Sequence, residues 1–164
     1  METYKTETKI EKYLTFMLEN KEYGIRILKI KEIIRLMDIT HLPHTPDFIK
    51  GVINLRGKVI PVMDLRLKFD MPSREYDERT CIVVVEISTK TNVMLMGIVV
   101  DAVLEVMNIS NSDIEPPPKF GSNVDTEFIS GIAKTKNGIK ILLDIDKVLT
   151  QEEIGSVAQT MEAM

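Results

Sequence analysis

Apolar and polar positions along this chain follow mostly the period of a strand, and only the last residues follow that of a helix. Residues 13–19, YLTFMLE, alternate and are rich in β-formers, whereas TCIVVVEI (80–87) and NVMLMGIVV (92–100) are short apolar runs between polar turns. These patterns predict strands. LENKEYG (18–24) and STKTN (88–92) have the composition of hairpin connections. In KNGI (136–139), Asn137-Gly138 falls between two strands and predicts a type I′ turn; in NLRGKVI, Gly57 supplies the same freedom for positive φ. Pro61 offers no N–H to a ladder, so KVIPVMD (58–64) predicts an edge strand or a bulge. DLRLKF (64–69) and DIDKVL (144–149) each open on an Asp suited to N-capping, and the tail from Thr150 has helical spacing. The expected fold is all-β, two small barrels or sandwiches with minor helices.

The chain also repeats itself. GIRILKIKEIIRL (24–36) aligns with GIVVDAVLEVMNI (97–109), so that Gly24 meets Gly97, Ile30 meets Val103 and Glu32 meets Glu105. FIKGVINLRGKVIPVMDL (48–65) aligns with FISGIAKTKNGIKILLDI (128–145), bringing Phe48, Gly51 and Asp64 onto Phe128, Gly131 and Asp144. The blocks lie 73 and 80 residues apart, and the proline-rich EPPPKFG (115–121) accounts for the extra length. Repeat units 24–65 and 97–145 are thus expected to form two similar lobes.

Composition narrows the class. Hydrophobic residues make up 44% and charged residues 28% of the 164, ordinary for a globular protein with a real core. Lys and Arg number 21 against 25 Asp and Glu, a net charge of −4, which leaves no footprint for nucleic acid. Residues 1–75 hold 14 basic and 11 acidic side chains, residues 76–164 hold 7 and 14. One part of the molecule should be mildly basic and the other acidic, which can orient a partner. Cys81 has no mate and is expected as a small buried hydrophobe. The N-terminus is polar without a secretory apolar region, and no apolar segment is long enough for a bilayer, so a cytoplasmic protein without membrane insertion is expected.

Candidate chemistry is sparse. His41 and His44 in HLPHTP could seat a metal, but no Cys, further His or carboxylate cluster completes a site. Asp64 and Asp144 resemble a paired acid/base site until the repeat places each at the same strand-to-helix boundary, where a cap explains both. Glu32, flanked by Lys29, Lys31 and Arg35, would share a strand face with Ile30, and can be either a structural acid or part of an interaction surface. Arg56, whose counterpart is Lys136, is either a solvated turn charge or a rigid donor fork presented by its hairpin. The residues taken alone give a two-lobed β protein with no catalytic constellation, no metal and no cofactor, which favours binding over catalysis.

EYGIRILKIKEIIR, TPDFIKGVINLRGKVIPVMDLRLKF, GIVVDAV and ISNSDIEPPPKF together resemble the CheW family of bacterial chemotaxis coupling proteins. The resemblance implies two packed five-stranded SH3-like β-barrels with a few short helices and a C-terminal helix. It implies one domain over 12–154 of two intertwined lobes, with tails at 1–11 and 155–164. It also implies a non-enzymatic adaptor linking the cytoplasmic tips of transmembrane chemoreceptors to the regulatory domain of the histidine kinase CheA. Receptor-coupling positions of the family fall on Ile30, Glu32, Gly51 and Arg56; Val99 and Val103 would line a groove between the barrels. A side chain at Gly51 would obstruct close backbone approach, although Gly131 repeats it and a structural bend would explain both. No residues are assigned to kinase binding. Rival readings are a fragment of the kinase's regulatory domain, an SH3-like module for a ligand or RNA, and an enzyme with a novel site. Few aromatics and an acidic net charge weigh against base stacking.

Overall fold

The computed structural model describes residues 8–117 and 127–163; the proline-rich insertion from residue 118 onward lies outside the described residues, as does the N-terminus before residue 8. Its strands are β1 (Ile10–Leu18), β2 (Lys21–Arg26), β3 (Ile30–Arg35), β4 (Ile49–Leu55), β5 (Lys58–Asp64), β6 (Cys81–Ser88), β7 (Val93–Val100), β8 (Ala102–Ser110), β9 (Ile114–Glu115), β10 (Ile129–Thr135) and β11 (Gly138–Leu143). Two helices, α1 (Leu65–Lys68) and α2 (Gln151–Glu162), complete it, with short 3-10 turns at Ile27–Lys29, Asn111–Asp113 and Ile145–Lys147.

Two sheets form two SH3-like barrels. Barrel A has the order β8-β1-β2-β11-β10-β9 and barrel B the order β3-β6-β7-β5-β4. The sixth strand of barrel A, paired to β10 through Ile132–Glu115 and Ala133–Ile114, corresponds to a single bridge in barrel B, Thr40–Val52. The first repeat contributes β1 and β2 to barrel A and β3, β4 and β5 to barrel B; the second contributes β6 and β7 to barrel B and the rest to barrel A. A parallel pairing closes each barrel at the same repeat position: Val62–Gly97 joins β5 to β7, and Leu142–Gly24 joins β11 to β2.

This interleaving explains the continuous apolar runs. Ile82 and Val84 of β6 face the interior of barrel B with Ile53, Ile60, Val62 and Val99. Val83, Val85 and Ile87 face the opposite way, into a larger cluster shared by both sheets that includes Phe16, Ile25, Met63, Met96, Ile98 and Leu143. A strand covered on both faces needs no polar alternation. Barrel A has a smaller interior of Tyr13, Ile109, Ala133 and Leu142.

Two local expectations change. β5 is not an edge strand, and the bulge beside it lies on β4, between Ile49 and Gly51. Pro61 is tolerated because its partner Val52 gives both its N–H and its C=O to Thr40 at 2.8 Å; the Pro61 nitrogen therefore turns towards β7, where parallel pairing begins only at Val62. Asn137-Gly138 does not form a type I′ turn: Gly138 has φ 116°, but neither Lys136 nor Asn137 has positive φ. That type occurs instead in the first copy, where Arg56 (φ 52°) and Gly57 (φ 87°) form the two-residue connection. The C-terminal helix expected from Thr150 is α2, capped by the Thr150–Glu153 box and anchored by Val157 at 3% exposure.

Candidate functional site: a charged hairpin on the rim of barrel B

β4 and β5 carry Arg56 to the tip of their hairpin. The Asn54 side chain closes the turn by accepting the Gly57 N–H at 2.8 Å. From there the Arg56 guanidinium donates to Glu32 Oε1 on β3 at 2.5 Å, and these two side chains are 72% and 29% exposed. The structure thus joins two of the residues singled out in the sequence, Arg56 and Glu32, across 24 positions.

Ile30 does not share their face. A bulge between Ile30 and Glu32 sets Ile30 opposite Val85 and Glu32 opposite Val84, adjacent β6 residues that point to opposite sides. Ile30 packs, half-buried, against the central core; Ile34, in phase with Glu32, packs against the interior of barrel B. The second copy repeats the device, with Val103 opposite Phe16, Val106 opposite Leu14, and Leu104-Glu105 bulging over Thr15. The Thr15 hydroxyl donates to the Glu105 carbonyl at 2.9 Å and accepts its N–H at 3.2 Å. The bulge is therefore part of the fold. The Arg56–Glu32 pair is not: among the described residues no ion pair joins Lys136 to Glu105.

Gly51 faces inward. A Cβ there would lie 2.0 Å from the Thr40 carbonyl oxygen, and its φ is 143°. The glycine allows the chain leaving β3 to bridge onto β4. Val99 is 3% exposed among the residues of the barrel B interior and stands beneath the surface rather than on a groove wall. Val103, the repeat counterpart of Ile30, is half-buried against the central core.

Charges below the rim hold the fold. Asp64 caps α1, accepting the Arg66 N–H at 2.9 Å and the Tyr76 hydroxyl at 2.7 Å. Burial and then that hydrogen bond push the Tyr76 hydroxyl above the ordinary phenol range. Asp144 caps its 3-10 turn through the Asp146 N–H at 3.1 Å, so both repeat aspartates have the structural role their positions suggest. Arg66 grips Asp101, between β7 and β8, with two bonds of 2.7 Å. Burial raises the Asp101 carboxyl, but Arg66, the Glu19 N–H and Arg74 outweigh it and hold it below the ordinary carboxylate range. His41 and His44 are both exposed, and among the described residues no cluster of His, Cys, Asp or Glu could hold a metal. Among the described residues no helix is long and apolar enough to cross a membrane.

Two features escaped the sequence. Asn54 was legible as an Asx residue three before Gly57. The buried pair of Lys140 with Glu22, 118 positions apart, left no local signal.

Comparison with known proteins places this architecture. The CheW-like domain profile matches residues 12–153. Over 151 residues the chain is 41% identical to the chemotaxis protein CheW of Klebsiella aerogenes, covering 92% of this chain and 89% of that one. It is 34% identical over 143 residues to the chemotaxis protein CheW of Bacillus subtilis, covering 87% and 88%. Among solved structures, the scaffolding protein TtCheW from Thermoanaerobacter tengcongensis matches with a TM-score of 0.78 at 37% identity, over 88% of this chain and 97% of that one.

Proposed function

The chain belongs to the CheW-like domain family, and from that premise we propose that it is a non-catalytic adaptor coupling the cytoplasmic tips of chemoreceptors to the histidine kinase CheA. The observation that carries this reading is the family match across residues 12–153, which contains every motif position singled out above. The rim of barrel B is the receptor-facing device. Arg56 presents a planar fork on a rigid hairpin, and Glu32 orients it. Ile30 and Val103, facing the central core at equivalent places in the two barrels, offer half-buried apolar side chains on a second face, while Gly51 and Val99 support β4 and β7 from within. The apolar contacts contribute affinity and the charged pair contributes orientation. The protein works in the cytoplasm, held at receptor arrays by its partners, and the kinase's regulatory domain engages a separate face.

The test is a pull-down of wild type and Arg56→Ala with a receptor cytoplasmic fragment and, separately, with the kinase regulatory domain. Wild type should bind both. Arg56→Ala should keep the kinase domain and lose about ten-fold or more in receptor affinity, the scale of a lost charge-assisted hydrogen bond. Its thermal melt should match wild type, because an exposed ion pair contributes about 1 kcal/mol or less to stability. Wild type that binds neither partner would end the adaptor reading.

A further inference from the structure

The hairpin that presents Arg56 is not held by Arg56. Left-handed backbone is disfavoured for any residue with a Cβ, and Arg56 sits there at φ 52°. Something nearby must hold it. Gly57 accepts positive φ freely, and an added Cβ there would meet nothing within 4 Å, so its part is purely conformational. Beside the β4–β5 pairing that closes at Leu55–Lys58, the turn has one side-chain restraint of its own, the clasp from Asn54 Oδ1 to the Gly57 N–H, 2.8 Å long and between exposed groups.

The second copy closes the equivalent hairpin differently. Lys134 stands where Asn54 would be and pairs instead with Glu115 at 2.5 Å. That turn is closed by the Thr135 hydroxyl donating to the Gly138 carbonyl at 2.8 Å, and Lys136 and Asn137 keep negative φ. The equivalent hairpin, with Lys134 for Asn54 and Asn137 for Gly57, turns the other way at its centre, and its tip cation does not reach the equivalent glutamate. The chain therefore has two ways to close this hairpin, and only one brings a cation onto its glutamate partner.

We infer that Asn54 is a positioning residue: its side-chain carbonyl selects the turn that aims the Arg56 guanidinium at Glu32 and at the receptor segment. The inference rests on the reading of Arg56 as a receptor contact, and it adds a residue that acts through Arg56 without touching the partner. Without the clasp, the turn populates other conformers, and receptor affinity falls by the fraction lost from the competent one.

The experiment compares full-length wild type, Asn54→Ala, Asn54→Asp, Arg56→Ala and the Asn54→Ala/Arg56→Ala double variant. Two readouts are taken, affinity for a receptor cytoplasmic fragment and the three-bond HN–Hα coupling of residue 56, which reports its φ in the protein alone. Asn54→Ala should bind about five-fold more weakly, the loss of roughly one hydrogen bond's effect. Asn54→Asp, which keeps the acceptor, should return to within about two-fold of wild type. The double variant should bind no more weakly than Arg56→Ala, because the two act as a unit. The coupling should shift in Asn54→Ala and not in Asn54→Asp. If Arg56→Ala weakens binding while Asn54→Ala changes neither readout, the positioning role is overturned and the receptor reading stands. If wild type does not bind the fragment, the receptor reading fails, and the coupling alone decides whether Asn54 sets the turn.

Discussion

Where barrel B carries Ile60 and Leu95 in one apolar interior, barrel A carries Lys140 and Glu22, joined as an ion pair. The four positions are equivalent by the repeat, and their strands are the parallel pair that closes each barrel. Lys140 is 3% exposed and sits opposite Ala133, the counterpart of Ile53. At the rim the contrast runs the other way: barrel B pairs Glu32 with an Arg56 guanidinium that is itself in the open, and barrel A leaves Lys136 and Glu105 apart. One plan has thus diverged twice. Barrel B has an apolar interior and a charged device on its rim; barrel A has its ion pair inside. A fold that fixes strand order through backbone pairing and shared bulges leaves such substitutions free, and that freedom is what permits one barrel to specialise.

The sharpest way to break the equivalence is at the two bulge glycines. Gly51→Ala drives a Cβ to 2.0 Å from backbone, the Thr40 carbonyl, at a φ of 143°. Gly131→Ala meets the Ile114 Cγ2 methyl at 2.5 Å and the Glu115 carbonyl oxygen less closely, at 3.1 Å, with no positive φ. The first should cost more than about 4 kcal/mol and the second about 1–3 kcal/mol, because a side chain can shift where a bridged backbone cannot. Urea denaturation of both variants measures the difference. Equal losses would mean that the Thr40 bridge yields easily and that the glycines are interchangeable.

A smaller effect tests the interiors. Lys140→Ala leaves Glu22 without its partner inside barrel A, and should destabilise by about 2–4 kcal/mol, towards the lower end because the Glu22 side chain is 31% exposed. The double variant Lys140→Ile/Glu22→Leu copies barrel B and should return to within about 1 kcal/mol of wild type. A double variant as unstable as the single one would show that barrel A has lost the space to accept an apolar pair.

Much of this was legible from residues alone. The runs TCIVVVEI and NVMLMGIVV became β6 and β7, whose stretches 82–85 and 96–100 are covered on both faces and carry no polar side chain. Asp64 and Asp144 became caps, and the repeated Phe-Ile-x-Gly blocks became β4 and β10 with bulges at the same place. What failed depends on pairing that one strand does not encode. The bulge beyond Ile30 inverts every later side chain of β3, yet no residue in ILKIKEIIR marks it. Asn137-Gly138 has the composition of a type I′ turn, but the two-residue connection is Lys136-Asn137, closed by the Thr135 hydroxyl on the Gly138 carbonyl. Lys140 drew no reading from its own segment, and only the long-range pairing of β11 with β2 turns it inward.

The finest comparison concerns the contacts that tie each barrel's connecting turn to the other half of the chain. Arg66 and Asp146 are repeat equivalents of opposite sign. Arg66 grips Asp101, with both side chains 11% exposed, and Asp146 pairs with Lys29, with exposures of 34% and 23%. An acid limb of stability follows for the first. The Asp101 carboxyl titrates at about 3.9 when unfolded and lower when folded, so the folded state binds fewer protons near that pH. Its stabilisation is complete above about pH 4 and is lost as pH falls through the lower folded value. Asp101→Asn removes this titration while leaving other carboxylates in place. Urea midpoints between about pH 2 and pH 5 should therefore fall less steeply in the variant than in wild type, although the variant starts lower because Arg66 keeps its charge without a carboxylate partner. Parallel slopes would assign the acid limb to other carboxylates and leave Arg66–Asp101 as a geometric tie alone. In that case the inverted sign of the two contacts would have no bearing on how the halves of the chain respond to acid.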